Sequence, residues 1–266
     1  MTSVCNLRES LEFGILSPRK EAARPRTTVG RRHLDGKGDY NVQKIVPSYS
    51  GTLRSHLVEV PQCIAECTGI RIFGRRIKSL VFSTDVAIIK NINGDAIIAV
   101  YPFTPQPSIA QAIISVSDVP VFVGVGGGVT NGRRSVRLAT YAEHQGAFGV
   151  VVNAPIADET IAQIKDVVDI PVIATIVSDQ MDVGKRIESG ADILNVSGAA
   201  QTPEIVRKIR SEFPDIPIIA TGGPTDETIM ETIRAGANAI TYTPPTNGTL
   251  FAESMRRYRA RYIPEE

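Results

Sequence analysis

Two glycine-rich stretches carry residue types that could hold an anion. Thr221-Gly-Gly-Pro-Thr-Asp-Glu-Thr-Ile229 leads from an apolar run into a helix-like stretch. Glycines at 222 and 223 would let backbone approach a ligand closely. Free N–H groups at the next helix start, with the helix dipole, favour negative charge. Gly222 and Gly223 therefore read as phosphate-binding, the alternative being a tight turn and nothing more. Gly124-Val-Gly-Gly-Gly-Val-Thr-Asn-Gly-Arg-Arg134 is a second loop of this kind, which makes Gly126, Gly127 and Gly128 further phosphate candidates. Arg133 or Arg134 would sit beside that anion or be surface charges on the following helix. Asp85 follows an apolar run, where a carboxylate in a dry mouth can serve as general acid or base; it could equally cap the helix that follows. Asp179 stands in the same relation to a later run, as a second acid or a cap. Asn153 and Asn195 are amides next to apolar strand residues and need partners. They could orient a substrate carbonyl or hydroxyl, and Ser197 shares their end.

Other chemistries are poorly provided for. No lysine ends an apolar run, so Schiff-base aldol chemistry lacks its nucleophile. The three histidines, His33, His56 and His144, form no metal-binding pair, which argues against catalytic zinc. His144 falls near the end of a helix, away from the expected site, and reads as structural. No cofactor is firmly implied; magnesium held by Asp85 and a substrate phosphate is compatible with the donors. Cys5, Cys63 and Cys67 are too few and too scattered for a disulfide framework and point to a reducing, cytoplasmic setting. A formal net charge of +1 gives no whole-protein field for nucleic acid. No apolar run approaches the roughly 18 residues that span a bilayer, and the first ten residues lack a secretory layout.

The elements that must position these residues begin at Lys78. Eight apolar runs alternate with helix-period stretches: residues 79–84, 96–101, 119–125, 149–153, 170–177, 192–196, 216–221 and 237–242. They are continuously apolar, as strands covered on both faces are. Strands alternating with helices give a parallel sheet, and eight such units close into a (β/α)8 TIM barrel. The span from Lys78 to Tyr262 is short beside the ~250 residues usual for that fold, so its loops must be brief. Catalytic and binding groups then belong at the carboxyl ends of the strands, where all the candidates above lie. The third and seventh runs, with their glycines, look like one unit used twice.

An N-terminal extension precedes the barrel. Residues 1–45, rich in Arg, Gly and Pro, read as a mobile basic arm. In residues 46–77, Val58, Val60, Ile64, Cys67 and Ile70 could form one stripe of a short helix, followed by an extended piece and a turn, the whole packing on one end of the barrel. Residues 78–266 complete the barrel.

The glycine pair after the seventh run and its counterpart after the third resemble the phosphate-binding TIM-barrel superfamily, of ribulose-phosphate-binding type. That group includes histidine-biosynthesis barrels, thiamin-phosphate and thiazole synthases, and inosine-monophosphate dehydrogenases. Ser189-Gly-Ala-Asp-Ile-Leu-Asn-Val196 and Ala235-Gly-Ala-Asn-Ala-Ile240 are similar across it. Tyr101-Pro-Phe-Thr-Pro-Gln-Pro107 and Thr241-Tyr-Thr-Pro-Pro245 resemble signatures of a bacterial barrel family known by a loose hydrolase label. The resemblance implies an enzyme acting on a small phosphorylated metabolite by acid–base chemistry, as hydrolase, lyase or isomerase, with the acids of the histidine-biosynthesis barrels falling on Asp85 and Asp179. The chain departs from the pattern after the eighth run, where Thr243-Pro-Pro-Thr-Asn-Gly248 replaces a glycine pair. Proline donates no N–H, so a phosphate must lean on the seventh loop, Thr246 and Gly248. No cysteine ends a strand where the dehydrogenases need one. A non-catalytic sensor of a phosphorylated ligand is the competing reading, and a flavin-mononucleotide oxidoreductase ranks below both. A homo-oligomer is allowed, with no face marked for it.

Overall fold

The computed structural model describes residues 57–262, together with Pro47, Tyr49 and Gly51. The expected arm at 1–45, His56 and Cys5 lie outside the described residues.

Ahead of the barrel the expected short helix is reduced to one turn, while the expected extended piece and turn form a hairpin. Val58 bridges in parallel to Ile92, and Gln62–Glu66 form one 3-10 turn that buries Ile64. Strands β1 (Ile70–Ile72) and β2 (Arg75–Ile77) then pair as an antiparallel hairpin. Gly69, Phe73 and Gly74 take positive φ at its entry and turn. Ile70, Ile72 and Ile77 pack with the inward-facing residues of the barrel and close its amino end. Phe73 meets Phe148 edge to face at 5.2 Å, and Phe148 meets the buried Phe122 at 5.9 Å. Asn238 ties hairpin to barrel: its amide donates to Thr68 Oγ1 (2.9 Å) and its Oδ1 accepts from Ile218 N (2.9 Å).

Eight parallel strands close into a barrel, each in its expected run. They are β3 (Ser79–Phe82), β4 (Ala96–Ala99), β5 (Val121–Gly126), β6 (Gly149–Val152), β7 (Val172–Ile176), β8 (Ile193–Val196), β9 (Ile218–Thr221) and β10 (Ala239–Tyr242), with β10 paired to β3. The helices are α1 (Val86–Lys90), α2 (Pro107–Val116), α3 (Arg133–His144), α4 (Asp158–Lys165), α5 (Val183–Glu188), α6 (Thr202–Glu212), α7 (Asp226–Arg234) and α8 (Asn247–Tyr262). The fold is a (β/α)8 TIM barrel.

Successive strand residues face opposite sides of a sheet. Leu80, Ile98, Phe122, Val151, Ile173, Ile193, Ile219 and Ala239 fill the interior as one cluster. Their neighbours Val81, Ile97, Val123, Val150, Val172, Leu194, Ile218 and Ile240 pack outward against the helices. Both faces are dry, which is why the runs read as continuously apolar. Helix α1 is a single short turn, and none of the residues of α8 is buried.

Candidate active site

Stepping each inward residue two places toward the carboxyl end gives the ring that floors the mouth: Phe82, Val100, Gly124, Asn153, Thr175, Asn195, Thr221 and Thr241, one per strand. None is charged. The ring divides into an apolar arc on β3–β5 and an arc of neutral hydrogen-bonding groups on β6–β10. Asn195 Nδ2 lies 3.3 Å from Thr175 Oγ1, and Thr221 Oγ1 lies 3.3 Å from Ser197 Oγ. Asn195 Oδ1 and Thr241 Oγ1 are buried with no partner. Sequence reasoning placed Asn153, Asn195 and Thr221 at strand ends but missed Phe82, Thr175 and Thr241.

Asp85 ends β3 and caps α1. Its Oδ1 accepts from Ala87 N (2.8 Å) and Ile88 N (3.3 Å), so one carboxylate oxygen is committed to the helix and the other remains. Asp179 is exposed; Gln180 and Ser178 contact its carboxylate and Lys208 Nζ donates to its carbonyl. It lines a groove between α5 and α6 outside the barrel, and Asp182 caps α5 in its place. A second acid in the mouth is thus not built from Asp179.

The glycine loop after β5 is folded on itself. The amides of Gly127 and Gly128 both donate to the Thr130 carbonyl, at 2.9 and 3.4 Å, so they are not free for phosphate. Gly127 has φ +107, and a Cβ there would lie 2.5 Å from the Asn153 backbone. A Cβ on Gly126 would meet Ser135 Oγ at 2.3 Å. These glycines let the β5 and β6 loops touch; they position Asn153. Arg133 lines a surface groove with Arg137, Gln163 and Asp166, away from the mouth. The β6 loop is braced from the other side by Arg186, whose Nη1 and Nη2 donate to the carbonyls of Ile156 (2.6 Å) and Ala154 (2.9 Å). Arg186 Nη1 also lies 2.9 Å from Asp158 Oδ1, a charge pairing whose geometry is too poor for a hydrogen bond.

After β9 the picture differs. Among the described residues, the amides of Gly222 and Gly223 have no acceptor. A Cβ on Gly222 would lie 2.8 Å from both Ile229 and Ile240, and Gly223 has φ +83. The start of α7, expected to receive the anion, already holds one. Asp226 and Glu227 lie in its first turn, and Glu227's own backbone N–H, then the Thr225 hydroxyl, hold its carboxyl below the usual range. Thr225 and Thr228 complete a capping box there. The start of α8 is empty by contrast. It has no acid in its first turn, Thr246 Oγ1 caps Thr249 N (3.1 Å), and the Asn247 and Gly248 amides have no acceptor among the described residues. Because β9 and β10 are neighbours, Gly222 and Gly223 follow one strand while Thr246, Asn247 and Gly248 open the helix that follows the next. Asp85, on β3, follows β10 around the rim.

A cavity of about 370 Å³ opens on the other side of Asp85, bounded by the loops after β4, β5 and β6. Val100, Pro102, Phe103, Pro105, Val129 and Asn153 are among its lining residues, and none of the lining residues is charged. Phe103 and Val129 are strongly exposed, at 75% and 104%. Tyr101 fixes the β4 loop by accepting Gln106 N at 2.8 Å. His144, the last residue of α3, stands at the opposite end of the barrel.

No protein-family model matches this chain, and no curated protein matches it. Solved structures do. A 2,3-dimethylmalate lyase, a PEP mutase/isocitrate lyase superfamily member, aligns with TM-score 0.53 at 16% identity, over 71% of this chain and 84% of that one. A Burkholderia cenocepacia protein described as a phosphonomutase aligns with TM-score 0.52 at 16% identity, over 69% and 92%. A phosphonopyruvate hydrolase, in complex with oxalate and magnesium, aligns with TM-score 0.51 at 16% identity, over 70% and 83%. What they share with this chain is the TIM barrel. At this identity they speak for the fold alone, and they do not single out the ribulose-phosphate-binding kind.

The donor set here offers no magnesium site made of protein ligands alone, and the expected pairing of Asp85 with a substrate phosphate is left with one carboxylate oxygen. Among the described residues no three His, Cys, Asp or Glu side chains gather around a point, and one Asp85 oxygen already caps a helix. Likewise no helix of the described residues is long and apolar enough to cross a membrane.

Proposed function

We propose that this barrel binds a small phosphorylated molecule across its mouth and acts on it as a lyase, hydrolase or isomerase. The observation that carries the reading is the set of amides at 222, 223, 247 and 248 that have no acceptor among the described residues, after β9 and at the start of the helix following β10, with no acid in the first turn of α8. Backbone N–H groups and a helix dipole together favour a phosphate. In this reading the α8 start takes the part of the strand-eight glycine pair that the phosphate-binding barrels carry and this chain lacks. The phosphate would lie on one side of Asp85 and the uncharged cavity on the other, so the body of the ligand crosses the carboxylate. The Asp85 oxygen not used in capping is the proton acceptor or donor, while Asn153 and Asn195 align the rest of the ligand.

The test has two stages. Phosphorylated metabolites and inorganic phosphate are screened for thermal stabilisation, and hits are assayed for turnover. A ligand at about 100 times its Kd stabilises by about 2.7 kcal/mol, a rise of roughly 5–10 °C for a chain of this size. Asp85→Asn keeps an oxygen for the cap and is expected to lower turnover at least 100-fold with binding retained. Full turnover in that variant removes Asp85 from the mechanism. A second reading, a receptor that binds without turnover, is favoured by the absence of charge in the cavity lining. Tight binding of a hit with no product formed would select it.

A further inference from the structure

We infer that the mouth of the barrel is an interface with a second copy of this chain, and that its occupant is the second copy's helix α8, laid across the apolar β3–β5 rim. The inference goes beyond the phosphate reading and does not depend on it.

Helix α8 is not part of the wall of its own barrel. In a (β/α)8 fold the helices form an outer ring, and the last of them covers the outward faces of the last and first strands. Here residues ahead of the barrel fill that berth. Val60, Ile64 and Cys67 pack with Val81 of β3 and Ile240 of β10 in the outer core. Cys63 Sγ lies 3.5 Å from Asp226 at the start of α7, and Thr68 Oγ1 accepts from Asn238 at the other end of the barrel. With its place filled, α8 buries none of its 16 residues, and every residue from Arg256 to Tyr262 is exposed. A lone helix of this length is marginal in water and needs a packed face. The face is there: Phe251, Met255, Tyr258 and Tyr262 recur at the four-three-four spacing of a helix seam. Phe251, Tyr258 and Tyr262 are exposed at 66%, 53% and 85%.

The chain has a second uncovered apolar surface, made by the exposed side chains of Phe82, Val86, Phe103 and Val129 on the β3–β5 side of the mouth. Helix and rim match in length, charge and area. From Phe251 to Tyr262 the stripe runs about 16 Å at 1.5 Å per residue. Strands about 4.8 Å apart and tilted ~36° make a mouth roughly 15 Å across. The loops that follow the eight strands hold Asp85, Asp179 and Asp182 and no lysine or arginine, whereas α8 holds Arg256, Arg257, Arg259 and Arg261 against Glu253 alone. That helix is drawn to the mouth end of a barrel and repelled by another α8. Because α8 starts at the mouth end, two copies set mouth to mouth can exchange helices, and a two-fold pair makes the contact twice. Aromatic side chains bury roughly 150–250 Å² each, so the two contacts together cover on the order of 1,500 Å². That is the size of a standard stable interface; one helix on one surface gives about half of it.

Sedimentation velocity of the purified full chain tests this and is expected to show a dimer at micromolar concentration. Tyr258→Asp on the helix and Val129→Asp on the rim are each expected to weaken the dimer at least ten-fold. Both side chains are exposed in the single chain, so cooperative thermal unfolding should persist in both variants. Mixing the two variants lets one intact helix meet one intact rim. The mixture should therefore associate more tightly than either variant alone and less tightly than wild type. A monomeric wild type overturns the inference, and so does a mixture no tighter than its components. A dimer that Val129→Asp leaves intact means that α8 docks elsewhere, and one that Tyr258→Asp leaves intact means that another face pairs; either overturns it. A monomer that binds phosphatidylserine vesicles through Tyr258 assigns the stripe to a lipid surface and overturns it too. Every sample is free of phosphate and phosphorylated compounds, so none of these outcomes bears on the phosphate reading.

Discussion

Replacing Asn247 by proline removes one backbone N–H from the proposed cup while leaving the helix in place. Thr246 Oγ1 caps Thr249 N, which makes Asn247 the first helical residue. Its amide has no acceptor within the helix, so proline is tolerated there, and its fixed φ suits a helix start. Proline also requires an extended residue before it, the conformation usual for an N-cap such as Thr246. Asn247→Ala is the matched control, since it removes the same side chain and keeps the N–H. A hydrogen bond to a charged group contributes about 1.5–3 kcal/mol, which corresponds to roughly 10- to 150-fold in affinity. The alanine variant should bind inorganic phosphate and the best phosphorylated ligand within about three-fold of wild type, and the proline variant should lose the larger factor. Isothermal titration calorimetry reads the affinities, and far-ultraviolet circular dichroism confirms that α8 is retained. Proline and alanine variants that bind alike would refute the claim that this amide faces the ligand, and with it the substitution of α8 for a strand-eight glycine pair.

Other predictions concern the supports of the site. Gly127→Ala places a Cβ 2.5 Å from the Asn153 backbone at φ +107 and should cost about 2–5 kcal/mol, whereas Gly128→Ala, with nothing within 4 Å, should be neutral. Thermal melts showing equal effects would contradict the tight β5–β6 contact. Arg186→Met removes two hydrogen bonds to the β6 loop and leaves Asp158 short of its part-buried cation; urea unfolding should show a loss of about 2–4 kcal/mol, and no loss would mean the brace is idle. Cys67 is 2% exposed, and burial raises its thiol from 9.0 to about 11. The folded state therefore favours the neutral thiol; that contribution is complete below pH 9 and is lost as pH rises through 11, at most about 3 kcal/mol. The loss of stability between pH 8 and pH 11 should be smaller in Cys67→Ala than in wild type, and an identical loss in both would show that Cys67 does not titrate this way.

The strands were legible because every one is buried on both faces, so each appears as an uninterrupted apolar run between helix signals. The same property hid the floor of the site. Within Val172–Ile176 or Ile218–Thr221 the residues of both faces are apolar apart from one threonine, a residue that strands favour on either face, so the pattern does not distinguish inward from outward. Thr175, Thr221 and Thr241 therefore gave no signal that they share a ring with Asn195. The glycine loops show a second limit. Gly126–Gly128 and Gly222–Gly223 look like copies of one device, but Thr130 supplies a carbonyl to one loop and no described residue does so for the other. Which of two similar loops keeps its amides free is decided by a residue several places away. Asp226 and Glu227, by contrast, could have been weighed from sequence, since acids in a first turn compete with an external anion for the same N–H groups. Ahead of the barrel, the extended piece and turn from Ile70 were legible, and Ile70, Ile72 and Ile77 pack with the barrel interior; the helical stripe over 58–70 was misjudged, because its apolar spacing is used instead by a bridge at Val58, a 3-10 turn at 62–66 and a strand from Ile70.

An uncharged floor limits the chemistry the site can perform. Negative charge that develops in a transition state must meet a preorganised donor or cation close by. Among the floor and cavity-lining residues none is a cation, and the free amides lie at one edge, after β9 and β10. Charge developing far from that edge would face only hydroxyls and carboxamides. The reaction this arrangement supports best is therefore one whose charge appears next to the phosphate, within reach of Asp85 on the neighbouring strand end. Proton transfer at an atom close to the phosphoester meets that condition. Bond breaking in the part of the ligand that lies in the cavity between Phe103 and Val129 does not. That part would then serve to bind and align, contributing affinity equally to ground and transition states, while the phosphate end carries the interactions that change along the reaction. Shortening the ligand at its cavity end should accordingly raise KM more than it lowers kcat, whereas loss of the Asn247 amide should lower kcat as well. Kinetics that invert this pattern would place the chemistry at the other side of the mouth.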